Sequence, residues 1–80
     1  MKTIVVKKLV ENYTQEQLIQ AEEALLKEQP LPIAIEGGDD SERLSYILAA
    51  IFILEKIKQE KMEFKTALRS YTERVRESIT

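Results

Sequence analysis

Two carboxylates, Glu22 and Glu55, stand where the helical phase of their neighbours is apolar. With about 100° between successive residues, Glu22 falls between Leu18 and Leu26, and Glu55 closes the arc of Leu44, Leu48 and Ile51. A carboxylate in such a place must reach water, a hydrogen-bond donor or a cation, and Tyr71, Lys58 and Arg74 are candidates. Brought together, Glu22 and Glu55 would make a bundle-core acid or metal site; kept apart, each makes a boundary ion pair. Bundle-core metal sites commonly share their carboxylates with histidine, and the chain has none, so Glu22, Glu55 and Arg74 are read as buried or paired charges. Asp39, Asp40 and Glu42 could hold a hard cation through oxygen, but the ligand spacing of a calcium loop is absent. The simpler reading is the acid-rich start of a helix, where the dipole favours negative charge.

The remaining charged feature is basic. Lys65, Arg69 and Arg76 share the face opposite Phe64, Tyr71 and Val75, with Arg74 to one side. Glu73 and Glu77 interleave with them, and no exposed aromatic is evident to stack on bases, so a solvated amphipathic face is favoured over a nucleic-acid contact surface. The same cations could dock an acidic partner or the acidic turn Gly37 to Glu42 of a second subunit. The run GGDDSE resembles the glycine-aspartate signatures of some nucleotide cyclases and polymerases, but those sit on sheets in far larger domains, and no activity is read from it. With neither cysteine nor histidine, disulfides, thiolate catalysis, the usual zinc sites and the usual proton shuttle are excluded together. No cofactor is expected, and an enzyme is less favoured than a binding protein.

The elements that must position these residues are mostly helical. Val6, Leu9, Val10 and Tyr13 have helical spacing, while the β-branched run Thr3 to Val6 favours a strand; the spacing favours a short helix. Thr14 and Gln17 form a capping box opening a second helix from about Gln15 to Glu28, which Pro30 and Pro32 stop. Leu31, Ile33 and Ile35 then alternate with Pro32 and Ala34, the period of an extended segment. That segment must pair with the N-terminus, lie on the helices or meet its own copy across a two-fold axis. Gly37-Gly38 turns the chain into a long third helix ending near Gln59, and a fourth carries Phe64, Ala67, Leu68, Tyr71, Val75 and Ile79. The fold class is a small, mostly α domain: a helix hairpin, one or two N-terminal helices and an extended segment near 31–35, all in one unit spanning 1–80.

The third helix is apolar on every side from Tyr46 to Leu54. Its apolar run of eleven residues, Leu44 to Leu54 with Ser45 as the one polar member, is too short to cross a membrane, which takes roughly 20. It therefore needs neighbours all round, and 80 residues supply few. A two-fold mate would supply the missing surface, so the expected function is a non-enzymatic interaction module acting as a homodimer. Tyr46, Ala49, Ala50, Ile53 and Ile57 are the expected interface, lying away from the Leu44, Leu48, Ile51 side. The balance of 12 basic and 14 acidic residues gives no general attraction to nucleic acid or anionic lipid. The N-terminal stretch, with charges interrupting its short apolar run, does not read as a secretory signal, and a cytoplasmic protein is expected.

Three stretches, VKKLVENYTQEQLIQAEEALL, PIAIEGGDDSERLSYILAAIFI and ALRSYTERVRESI, resemble a small uncharacterised bacterial family of about this length, found mainly in Bacteroidetes genomes. The resemblance covers nearly the whole chain but carries no catalytic or binding residue with it. It implies an association with thioredoxin-like or peroxiredoxin proteins, in an accessory role, since a chain without cysteine performs no thiol chemistry itself.

Overall fold

The β-branched run at the N-terminus is helical because its side chains find a core at helical spacing. Val5, Val6 and Leu9 are buried, and the first helix, α1, spans Thr3–Asn12. This computed structural model describes residues 2–79, with side chains through Arg76. The side chains of Glu77 and Ile79 therefore lie outside the described residues.

The turn after α1 carries the capping box expected from the sequence. Thr14 Oγ1 accepts from the Gln17 backbone N–H at 3.2 Å, and Gln17 Oε1 accepts from the Thr14 N–H at 2.9 Å. Helix α2, Gln15–Leu26, follows, burying Leu18, Ala21 and Ala24. It ends before Glu28 rather than at it. Glu28 adopts a left-handed backbone with φ 56°, its N–H bonds to Leu25 O, and the Gln29 N–H bonds to Ala24 O. Those two bonds form a Schellman motif, built here without the usual glycine.

Residues 31–35 form no strand. Leu31, Ile33 and Ile35 are half-buried against the core while Pro32 and Ala34 face water, so the segment lies on the helices. Ala34 to Glu36 border α1 beside Val5, Leu9 and Tyr13. Gly37 then passes close to the next helix: a Cβ there would sit 2.8 Å from Arg43 Cγ and 3.2 Å from Arg43 N.

Helix α3, Asp40–Glu60, is the element every other helix touches, packing against α1, α2 and α4, which spans Phe64–Ile79. Asp39 caps α3, its Oδ1 accepting from the Glu42 N–H at 2.8 Å, and Glu42 reaches back to the Gly38 N–H at 3.2 Å. The molecule measures 32 × 29 × 19 Å. Helix α3 is covered from within its own chain on part of its circumference only, since Ser41, Ser45, Leu48 and Glu55 along one side of it are exposed.

Candidate functional site

The covered part of α3 is the reverse of what helical phase and side-chain size suggested. Tyr46, Ala49, Ala50 and Ile53, expected at an interface, are the centre of the chain's own core at 3% exposure or less, and Ile57 beside them is half-buried. The physical reason is the pair of alanines: small side chains let helix backbones approach closely, and Ala21 and Ala24 on α2 are buried in the same way. Tyr46 also has a structural duty. Its hydroxyl oxygen accepts the Lys2 backbone N–H at 3.1 Å, supplying α1 with the cap that no side chain at its own start provides.

The open side of α3 runs through Ser41, Leu44, Ser45, Leu48, Ile51 and Glu55. Ser41, Ser45, Leu48 and Glu55 are exposed, Leu44 and Ile51 half-buried, and Leu48 keeps 43% of its surface in water. Helix α4 borders this face. Tyr71 packs on Phe52 with ring centroids 5.5 Å apart and planes tilted by 56°, and Val75, 40% exposed, lines the same groove as Leu48, Phe52 and Tyr71. Two cations stand on the Phe52 ring, Arg74 with Cζ 5.5 Å from its centroid and Lys56 with Nζ 5.6 Å away. Lys56 also pairs with Glu60 at 2.7 Å. The site is thus an apolar floor of aliphatic and aromatic side chains rimmed by Lys56, Arg74, Glu55 and Gln59.

Of the carboxylates expected to be buried or paired, neither is buried, and neither forms an ion pair with a described residue. Among the described residues no charged side chain is buried. Glu55 is exposed and accepts a 3.4 Å bond from Gln59 Nε2; it lies on the Leu48 arc because that arc faces water. Glu22 is half-buried and makes no hydrogen bond or ion pair with a described residue. Among the described residues no group of three or more acids converges to hold a metal ion. At the α3 start, Asp39 and Glu42 serve the cap, and Asp40 pairs with Arg43 at 3.0 Å. Lys65, Arg69 and Arg76 are exposed on α4; Arg76 lines a second groove with Thr3, Val6, Leu68 and Val75, where α4 meets the start of α1.

The surface residues that sequence reasoning passed over are Leu48, Phe52 and Val75. A signal for the two on α3 exists: within its apolar run and just beyond, Ser45, Glu55 and Gln59 fall within about 60° of the helical phase of Leu48, with Lys56 and Lys58 about 80° to either side. No helix among the described residues is long and apolar enough to cross a membrane. The model of a family of unknown function, DUF6952, matches residues 1–80. No curated protein and no solved structure matches the chain.

Proposed function

We propose, for a chain that belongs to this family and takes no assigned activity from it, a non-enzymatic interaction module that acts as a homodimer. The observation that supports this reading is the continuous open face of Leu48, Phe52, Tyr71 and Val75 at the side of α3 that the chain leaves uncovered. The other exposed large apolar residues do not form such a surface. Ile4 stands on α1, and on α2 Ile19 and Leu26 are two turns apart with Glu22 and Glu23 between them. A chain of this size also gains from association, because a single core of 80 residues contributes only about 3–5 kcal/mol of net stability.

Mass action provides the test. A protein whose native state is a dimer melts at a temperature that rises with its own concentration. The melting midpoint is expected to climb across a hundredfold range of protein concentration, and a midpoint independent of concentration would count against self-association.

A further inference from the structure

Resting on that reading, we infer that the occupant of the open α3 face is α3 of the second copy, running antiparallel about a two-fold axis beside Leu48. The direction follows from charge. On the flank of α3 beside Leu48, Asp40 stands near the start and Lys58 near the end, while Lys56 on the other flank is already paired with Glu60. A parallel pair would bring Asp40 level with Asp40 and Lys58 level with Lys58, whereas an antiparallel pair brings each Asp40 level with the Lys58 of the other helix.

The register follows from helical phase. Asp40 and Lys58 lie eight residues before and ten after Leu48, and both fall about 80° to the same side of it. In an antiparallel pair centred there, each Asp40 meets the partner's Lys58 along one flank of the seam. Both side chains are available: that of Asp40 is 73% exposed although paired with Arg43, and Lys58 is exposed without an ion pair to any described residue. Glu55, seven residues after Leu48, falls opposite Ser41, seven before it, where a hydroxyl can donate to the carboxylate. Leu44 falls opposite Phe52, and the two Leu48 side chains meet at the axis. Both halves of the contact are on one helix and share Leu48, so a two-fold operation closes it with no sticky surface left over. Val75 and Arg74 of α4 flank the seated helix and widen the contact beyond a single helix pair.

The test is a set of dimer dissociation constants from sedimentation, on the full chain, with circular dichroism confirming that each variant is folded. Leu48→Glu is expected to abolish the dimer. Asp40→Lys and Lys58→Glu are each expected to weaken it about tenfold, since two-fold symmetry counts the pair twice. The double variant Asp40→Lys/Lys58→Glu is expected to return to the wild-type constant, because it exchanges the charges without changing their complementarity. If wild type dimerises and Leu48→Glu dimerises equally well, or the two reversals fail to rescue each other, the antiparallel α3 seam is wrong while the homodimer stands. A monomeric wild type overturns both.

Discussion

Replacing Tyr46 by phenylalanine separates a core residue from an interface residue with a single oxygen atom. The ring is 3% exposed, and Phe keeps its volume and apolar area, so no cavity opens. What is lost is the acceptor for the Lys2 N–H at 3.1 Å. A net hydrogen bond contributes about 0.5–1.5 kcal/mol, and because Lys2 is exposed its freed N–H can turn to water, which spares the larger penalty of an orphaned buried donor. The expected loss is therefore about 1 kcal/mol, roughly 4–8 °C in melting temperature for a domain of this size. Urea unfolding followed by circular dichroism measures it, and amide exchange locates it, with faster exchange expected at the α1 start. Because Tyr46 lies inside the chain's own core, the constant of the proposed dimer should be unchanged. A Tyr46→Phe variant with wild-type unfolding but weakened association would refute the placement of this residue and, with it, the assignment of the two sides of α3.

Three further substitutions follow from the backbone. Thr14→Ala removes the acceptor of the α2 capping box and should cost about 1 kcal/mol by denaturant unfolding. Asp39→Ala should cost a similar amount at the start of α3, whereas Asp40→Ala, which breaks only an exposed pair with Arg43, should stay within about 0.5 kcal/mol under conditions where the protein is monomeric. Glu28 and Lys61 hold left-handed backbones with φ 56° and 53°, so Glu28→Gly and Lys61→Gly should each stabilise the protein, by roughly 0.5 kcal/mol once the added freedom of the unfolded chain is subtracted. A loss of stability in both glycine variants would mean that the side chains at these positions contribute more than the strain they carry.

Much of the fold is legible in the sequence because local chemistry determines it. Thr14 and Gln17 announce their capping box three residues apart, and the alternation from Leu31 to Ile35 correctly separates residues packed on the core from those in water. The four helices appear where their apolar spacing and stop signals put them, and membership of a family of unknown function agrees with the resemblance of the chain. The orientation of α3 is not legible in the same way. A helix apolar all round has no preferred face, and ranking its sides by side-chain size points to Leu44, Leu48 and Ile51 as the buried one. Close approach of helices instead selects Ala49 and Ala50, a property of the pairing and not of either helix alone. Glu55 carried the missing information. Taken as a carboxylate forced into a core, it suggested a paired charge; taken together with Ser41, Ser45 and Gln59 it marks the side of α3 that meets water.

Sedimentation equilibrium of the wild-type protein, from about 1 to 100 µM, bears most directly on the proposed function, since this range brackets the weak end of specific association. The expected result is a mass that approaches twice that of the monomer at tens of micromolar. A monomer mass throughout would contradict the homodimer and leave the open Leu48 face to be explained by some other partner.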